Sequence, residues 1–386
     1  MYPLPPHNDI KQKQPGKPGC TYLWRDVHLK IAVYAISKNE EKFVDTWVAS
    51  MREADGIYVL DTGSTDATVE KFRALGVTVE QAVIDPWRFD DARNRSLELV
   101  PEDTDICVST DIDEVFRPGW RKALEAAWVP GTQQANFRYT WNFNPDGSEG
   151  YVFWREKIHA RHGFRWVNPV HEVLEYTGPG QPHVVFAQGV QLDHHADDTK
   201  SRAQYLPLLE LAVREDPDND RNMHYLGREY YFYRRWEDCI RTLKAHLALP
   251  GAQWADERAA SMRYIARSEG ALEHPREALR WCLRACGEAP WLREPWLDLA
   301  RFCYEQSDWH GTLFACLRAL AITDRPISYI SEADSWGAAP YDLAALACWH
   351  LGDRAGAVQY GREAVNRAPS DERLRENLWY YEGGVK

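Results

Sequence analysis

The sequence lacks long apolar runs. None of its apolar stretches approaches the roughly 18 residues that a helix needs to span a bilayer. The first 17 residues contain prolines and lysines where a secretory signal peptide needs an apolar core. We therefore expect a cytoplasmic protein without a membrane span.

Cysteine pairs of the Cys-x-x-Cys type are also absent. The eight cysteines are spread along the chain, and most occupy apolar positions of helix-like segments, as small core residues do. Cys282 and Cys286 lie four residues apart, on one face of a predicted helix. A metal or redox role for this pair is the minor alternative.

The sequence has fewer positively charged residues than negatively charged ones. The 46 Lys and Arg residues face 58 Asp and Glu residues, which gives a formal net charge of −12. Loose binding to nucleic acid depends on clustered Lys and Arg side chains that neutralise phosphates. The charge balance therefore argues against a general nucleic-acid binder, although it leaves room for a local basic groove.

Length and composition predict two folded domains. At 386 residues the chain is too long for one comfortable core, and its 44% hydrophobic and 27% charged residues are those of an ordinary globular protein. Proline-rich residues 1–28 predict an extended or disordered lead-in. Residues 29–197 alternate short apolar runs with helix-like segments, which predicts an α/β domain, and residues 198–386 look helical throughout. No Gly-x-Gly-x-x-Gly follows the first strand, which disfavours a dinucleotide fold.

Acidic side chains follow two of the predicted strands. Asp111 and Asp113 come after the apolar run 106–108, and Asp61 comes after the run 57–60. In open α/β sheets ligands bind outside the carboxyl ends of the strands, so these acids would face one cleft. Carboxylate oxygens suit Mg²⁺ or Mn²⁺, which commonly bridge carboxylates and substrate phosphates. The pattern therefore predicts a metal-assisted site for a diphosphate-bearing substrate.

Four short motifs stand in order between residues 30 and 195. They are Ser37-Lys38-Asn39-Glu40, Leu60-Asp61-Thr62-Gly63-Ser64-Thr65-Asp66, Phe89-Asp90-Asp91-Ala92-Arg93-Asn94 and Asp111-Ile112-Asp113. This ordered set resembles the family 2 glycosyltransferases, which implies an α/β GT-A catalytic domain with a Rossmann-like mixed sheet. The resemblance also implies that Asp61 contacts the nucleoside of a sugar nucleotide, that Asp111 lies by the ribose and that Asp113 holds the cation, Mn²⁺ or Mg²⁺.

A histidine-bearing strand end extends the resemblance. Some members of the family have a Val-His-Glu motif followed by such a strand end, which here are Val170-His171-Glu172 and His194-His195. The resemblance implies His194 as a further metal ligand, with His195 as the alternative. Two surface histidines on a loop are the structural alternative.

Glu172 is the candidate general base. An acid in a water-poor cleft can have its pKa raised toward the working range, as base catalysis requires. His171 is the alternative base, with Glu172 orienting it. Pairing of Glu172 with Arg161 or Arg165 is the purely structural interpretation.

The remaining motif residues are predicted to bind the nucleotide-sugar donor. Arg93 and Asn94 are predicted at the start of a helix whose amino-terminal amides would assist a diphosphate. Asn39 and Glu40 follow the first strand and would frame the nucleobase pocket.

An internal repeat runs through the helical half. Cys239, Ala278, Thr312 and Ala357 are equivalent positions, with spacings of 39, 34 and 45 residues. Tetratricopeptide repeats are about 34 residues long, so we predict about four such repeats with insertions, preceded by a helix over residues 201–214. Stacked helix pairs usually engage peptides or proteins. Bracing or dimerising the catalytic domain is the alternative.

The leading hypothesis is a metal-dependent, inverting glycosyltransferase. It would move a hexosyl or pentosyl unit from a nucleotide sugar, UDP-linked by analogy, to a macromolecular acceptor held partly by the repeats, a protein or peptide above all. The two-part layout also resembles glycosyltransferases of bacteria and tailed phages, which implies the host cytoplasm if the chain is phage-encoded.

Other functions stay open. A surface glycan or a modified DNA base are alternative acceptors. A non-catalytic binding module, with a degenerate transferase domain beside active repeats, is the alternative of another class. A nucleotidyltransferase is disfavoured because no Gly-rich basic loop follows the first strand.

Overall fold

The computed structural model describes residues 28–144, 147–197, 204–326 and 328–384. Contacts between residues divide the chain into two compact units, Met1–Ser201 and Arg202–Lys386. The predicted lead-in falls outside the described residues except for His28, as do the first three residues of the helix predicted over 201–214.

The first unit is built around a β-sheet. Among its described residues the strands are β1 (Ile31–Ser37), β2 (Gly56–Asp61), β3 (Thr78–Gln81), β4 (Ile106–Ser109), β5 (Glu114–Phe116), β6 (Gln134–Thr140), β7 (Val152–Ala160), β8 (Phe164–Val167), β9 (Val173–Tyr176) and β10 (Val184–His194). Its helices are α1 (Val44–Met51), α2 (Thr68–Ala74), α3 (Phe89–Glu98) and α4 (Trp120–Ala127).

Eight of these strands form one mixed sheet in the described part of the unit, in the order β3-β2-β1-β4-β7-β6-β10-β5. Strands β1 to β4 pair in parallel, and so do β6 and β10. Strand β7 runs antiparallel to both β4 and β6, and β5 runs antiparallel to β10. The separate pair β8 and β9 is antiparallel.

Strand β1 contains no charged residue and is apolar up to Ser37, because helices cover both of its faces. Ile31 and Val33 belong to the larger core, which includes Trp47 of α1. Tyr34 points to the opposite face and packs with Leu97 of α3. The carboxyl ends of β1, β2 and β4 consequently meet at one edge of the sheet, next to the acids that follow them.

The second unit is helical in its described part. Its helices are α5 (Tyr205–Glu215), α6 (Asp220–Phe232), α7 (Trp236–Ala248), α8 (Ala255–Ala271), α9 (Pro275–Glu288), α10 (Arg293–Glu305), α11 (Trp309–Leu320), α12 (Ala333–Trp336), α13 (Ala339–His350), α14 (Arg354–Arg367) and α15 (Glu372–Tyr381). Among the described residues, no helix is both long and apolar enough to cross a membrane.

Four helix pairs follow the predicted frame: α6 with α7, α8 with α9, α10 with α11, and α13 with α14. Each turn within a pair has a residue of positive φ five positions before the predicted equivalent position, namely Arg234, Glu273, Ser307 and Gly352. In the first pair Gly227 lets α6 approach α7, because a Cβ there would collide with Leu243. The small residues therefore mark close helix contacts.

Candidate functional site

Arg93 joins two of the predicted site residues at the edge of the sheet. Its Nη2 donates to Asp111 Oδ1 at 2.6 Å, and its Nε donates to Glu172 Oε1. The Arg93 side chain is only 4% exposed. Lys157 Nζ donates to the other oxygen of Asp111 at 2.9 Å. The structure thus brings Arg93, Asp111 and Glu172 together, and Glu172 pairs with Arg93 rather than with Arg161 or Arg165.

The electrostatics of this cluster separate two neighbouring acids. Burial alone would raise the pKa of Asp111, but Arg93 and Lys157 outweigh it and hold the pKa well below its usual range. Burial raises the pKa of Glu114, whose Oε2 accepts a hydrogen bond from the Asp111 amide at 2.8 Å. Tyr139 donates to Glu114 Oε1, also at 2.8 Å. The two shifts have opposite directions, so Asp111 ionises more readily than Glu114.

Asp61 closes its own turn. It is fully buried, and its Oδ2 accepts hydrogen bonds from the amides of Gly63 and Ser64 at 3.2 and 3.0 Å. Asn39 lies beside the same turn, since its Oδ1 accepts from the Thr65 amide at 2.7 Å. The buried Glu40 donates its amide to Thr68 Oγ1 at 2.8 Å. Asn39 and Glu40 thus join the segment after β1 to the segment after β2, whereas Asp61 shapes the turn itself.

Asn94 ties α3 to β8 through paired hydrogen bonds with the backbone of Trp166, at 2.9 and 2.8 Å. Both Arg93 and Asn94 lie in the second turn of α3, which begins at Phe89, so the prediction that they start the helix is wrong. His171 precedes Glu172 with a left-handed φ of 51°.

Asp113 and His194 form a second group. His194 Nε2 lies 3.5 Å from Asp113 Oδ2, and its Nδ1 lies 2.9 Å from the Trp141 carbonyl oxygen. A carbonyl oxygen only accepts, so Nδ1 carries the proton and Nε2 faces the carboxylate. Burial lowers the pKa of His194, but the hydrogen bonds to Asp113 and Trp141 and the charges of the nearby carboxylates together outweigh it, so the net shift is upward. The ring of His195 instead stacks on Phe143 at 5.7 Å.

An open cleft of about 570 Å³ adjoins this group. Its lining consists of Lys42, Phe43, Trp141, Asn142, Phe143, His194, His195 and Ala196. Trp141 is 48% exposed. A flat indole beside a polar wall suits ligands with both an apolar face and hydrogen-bonding groups.

Sequence reasoning missed Lys157 and Tyr139, which complete the Asp111 and Glu114 cluster. Lys157 lies on β7 directly after Arg155 and Glu156, and such a run of charged residues also describes a solvated strand. The available signal was a lysine within a strand region that also contains several aromatic residues.

The second unit contains another polar cluster. Within the described residues, Asp220, His246 and Glu257 form a group of three whose ligand atoms lie within 4.8 Å of one another, close enough to share an ion. His246 is fully buried, with Nε2 lying 3.3 Å from Glu257 Oε1 and Nδ1 lying 3.0 Å from Ser261 Oγ. The cluster is thus already hydrogen-bonded within the protein.

Aromatic side chains gather where α6, α7 and α8 meet. The ring of Tyr231 lies 5.3 Å from Trp236 and 5.1 Å from Tyr264. Phe232 lies 6.2 Å from Tyr264 and is 55% exposed. The Arg267 guanidinium lies 5.6 Å from the Tyr264 ring. We call Tyr231, Phe232, Trp236 and Tyr264 the aromatic cluster.

Comparisons with known proteins find solved structures that are similar to about half of this chain. No family model and no curated protein matches the chain. A solved structure of MamA is 16% identical with a TM-score of 0.34, over 47% of this chain and 86% of that one. PilF of Pseudomonas aeruginosa is 15% identical with a TM-score of 0.36, over 44% and 70%. YrrB, described as a TPR protein with an unusual peptide-binding site, is 16% identical with a TM-score of 0.34, over 47% and 83%.

The identification as a family 2 glycosyltransferase with a GT-A domain is therefore wrong. These solved structures are of repeat proteins, and no family model supports the assignment. The resemblance to bacterial and phage glycosyltransferases loses its support together with that identification. So does the interpretation of Asp111-Ile112-Asp113 as a family signature. The motifs are short, and acids also occur wherever a strand ends in a polar turn, as Asp61 does here. The tetratricopeptide-like repeats are the part of that prediction that is supported.

Proposed function

We propose that the second unit is a binding module for a segment of a partner protein or peptide. Four stacked helix pairs support this proposal, because repeat stacks present extended surfaces rather than a closed pocket. The cytoplasmic location expected from the sequence stays a prediction.

The aromatic cluster is the observation that carries the proposal. Aromatic and arginine side chains dominate the binding energy of most protein interfaces. Phe232 exposes 55% of its surface between such neighbours, with the Arg267 guanidinium next to Tyr264. An isolated exposed apolar residue would be unremarkable, but a cluster of rings joined to a cation is suited to anchoring a partner side chain.

A peptide library selected on the immobilised full chain tests this function. We expect saturable ligands whose affinity falls roughly fivefold or more in Phe232→Ala, because the variant removes an interface anchor. Phe314→Ala is the matched control, since Phe314 is 57% exposed on α11 and lies outside the aromatic cluster. No saturable ligand, or equal losses in both variants, would contradict the proposal.

Catalysis at the sheet edge is the second candidate function, favoured by the Asp113 and His194 pair. We propose that the pair holds Mn²⁺ or Mg²⁺ and that the adjoining cleft takes a nucleotide-linked donor for glycosyl transfer to a macromolecule. The atoms fit one ion, since ligands at about 2.1 Å from a metal lie roughly 3 to 3.5 Å apart when adjacent. The bond from His194 Nδ1 to Trp141 also orients the ring, as the outer partners of metal ligands do.

The protein's own residues have distinct roles in this second candidate. The cation would neutralise the charge of the departing diphosphate. Arg93 and Lys157 hold Asp111 in place for donor binding. Glu172 would have to leave Arg93 before it could take a proton from an acceptor, and His171 is the alternative base.

Calorimetric titration with Mn²⁺ tests the second candidate. His194→Gln is expected to weaken binding about tenfold or more through loss of a ligand, whereas His195→Gln serves as the matched control with unchanged affinity. Release of nucleoside diphosphate from a panel of activated sugars then tests turnover. A wild-type chain that binds no Mn²⁺ rules out the metal site.

A further inference from the structure

The longest repeat spacing contains an insert that lies against other repeats. Residues 321–338 connect α11 to α13, where the spacing is 45 residues instead of 34 or 39. The insert contacts the first helices of three successive pairs, α6, α8 and α10. We call these contacts the first-helix surface, formed by Tyr225, Glu257, Arg263, Arg267 and Glu294.

Glu332 is the central anchor of the insert. Its Oε2 lies 2.8 Å from Arg263 Nη2 and 2.9 Å from Arg267 Nη2. The Arg263 side chain is 2% exposed, and its Nε donates to Asp298 Oδ2 at 2.8 Å. Two guanidinium groups thus pair with a single carboxylate of the insert, and both also pair with Asp298. Arg267 Nη2 donates a hydrogen bond to Glu332 Oε2, and such charge-assisted hydrogen bonds are the strong class.

Aromatic side chains flank this anchor. The Tyr329 hydroxyl donates to Glu257, while its ring lies 5.8 Å from Tyr225 and 5.5 Å from Trp254. On the other side, Trp336 Nε1 donates to Glu294 Oε1 at 3.0 Å. The insert therefore places a Tyr-x-x-Glu-x-x-x-Trp pattern against polar side chains of the first-helix surface.

The geometry points to the first-helix surface as a peptide-binding site that the insert occupies as an internal ligand. We infer that the external ligand is a partner segment with a tyrosine followed three residues later by an acidic residue, which displaces residues 329–332. This inference rests on the proposed binding function and specifies its ligand. Charge complementarity carries it, because Arg263 and Arg267 would be left without their shared carboxylate if the insert withdrew.

Tethering makes the insert a strong competitor. A segment linked through short connections acts at an effective concentration on the order of millimolar, so a free peptide of the same chemistry competes poorly. Weakening the anchors of the insert should release the surface without changing the residues that line it. Tyr329→Ala with Glu332→Gln in the full chain is the corresponding opened variant.

Fluorescence anisotropy with a labelled synthetic peptide of residues 322–338 tests the inference. The opened variant should bind the peptide saturably and roughly tenfold or more tighter than the wild-type chain does. A peptide carrying the Glu332→Gln change should lose about tenfold in affinity for the opened variant. Asp324→Asn is the matched control in the full chain, because Asp324 is an exposed acid of the same insert. It should behave as the wild type.

Hydrogen exchange on the wild-type chain gives a second measurement that does not depend on a variant. Excess unlabelled peptide should speed exchange of the amides of residues 328–336 and leave those of β1 unchanged. No binding to a folded opened variant, or no change of exchange at saturating peptide, would overturn the inference.

The same experiments separate this inference from the proposed function. Library peptides that bind the wild type and the opened variant equally would leave the binding module standing and remove the first-helix surface as its site. Failure of every library peptide on both chains would instead remove the binding function itself.

Discussion

Among single residues, Arg93 links two distant segments of the first unit. Its nearly buried guanidinium is shared between Asp111 and Glu172, which come from segments far apart in the sequence. Removing one partner of a buried ion pair leaves an uncompensated charge, which costs more than the pair itself contributes. The same residue that shapes the candidate site therefore stabilises the sheet edge.

Arg93→Gln is expected to lower the stability of the first unit by about 3 kcal/mol, because Asp111 and Glu172 lose their shared cation. The free energy of opening measured by native-state hydrogen exchange of the β1 amides reports the loss. Arg95→Gln on the same helix is the control. Arg95 also pairs with two acids, Glu80 and Glu98, but its side chain is 49% exposed, so we expect a much smaller loss of stability. Equal effects would contradict the role assigned to burial.

The contribution of Glu332 should depend on pH. Burial would raise its pKa, but Arg263 and Arg267 outweigh burial and lower the pKa from 4.5 to about 2. A lowered folded-state pKa stabilises the fold above the unfolded value and loses that effect as the pH falls toward the folded value. The difference in thermal midpoint between wild type and Glu332→Gln should therefore be full above about pH 4.5 and shrink below it.

A matched acid separates this effect from general acid unfolding. Glu277 lies on α9 with a 44% exposed side chain and pairs with Arg280. Glu277→Gln should show a small difference from wild type at every pH, because solvent screens an exposed pair. A pH-independent difference for Glu332→Gln would contradict its ion pairs with the two arginines.

Among the elements, the turns within the helix pairs show how the repeat is encoded. Each has one residue in the left-handed region, at Arg234, Glu273, Ser307 and Gly352. Only one of the four is glycine, so the turn geometry is imposed by helix packing rather than by local preference. This is why the repeat frame could be predicted from small apolar positions, whereas the turns themselves carry no common sequence signal.

Gly352→Ala should lower the stability of the second unit by about 1 kcal/mol, because a Cβ is disfavoured at its φ of 81°. Gly270→Ala is the control of opposite sign. Gly270 lies within α8 with open space around its Cα, so alanine should raise stability by about 0.5 kcal/mol. Chemical unfolding followed by circular dichroism measures both changes. A shared sign would show that backbone conformation does not decide the outcome at these positions.

The charge of the whole molecule limits its partners. A formal net charge of −12 repels nucleic acid at long range, and in the described second unit the cations Arg263, Arg267 and Arg301 are engaged with acids of the same chain. A peptide partner does not need a basic surface in the way a phosphate backbone does. The charge balance therefore favours the proposed ligand over DNA or RNA.

Gel-shift measurements with random-sequence duplex DNA check this expectation for the full chain. At about 0.15 M salt we expect dissociation constants weaker than roughly 10⁻⁴ M, because few phosphates could be neutralised. Tight binding that falls steeply with added salt would instead indicate a basic groove and would favour a nucleic-acid acceptor.

Sequence reasoning reached the elements more securely than the site. The repeat frame at Cys239, Ala278, Thr312 and Ala357 follows from helix packing, which repeats along the chain and is therefore visible in it. The glycosyltransferase assignment depended on short acidic motifs. Such motifs also occur where a strand ends in a turn, because the turn itself uses the acid. Asp61 illustrates this, because its carboxylate is used by the turn that follows it.

By itself the sequence determined the absence of long apolar runs, the acidic balance, the alternation of elements in the first half and the repeat frame in the second. These are properties of composition and period, which are local. Only the tertiary structure decided that Glu172 pairs with Arg93, that Lys157 completes the Asp111 cluster and that Glu332 lies between two arginines of another repeat. Each of these contacts joins residues distant along the chain, and their energies depend on burial, which arises only when the whole fold excludes water.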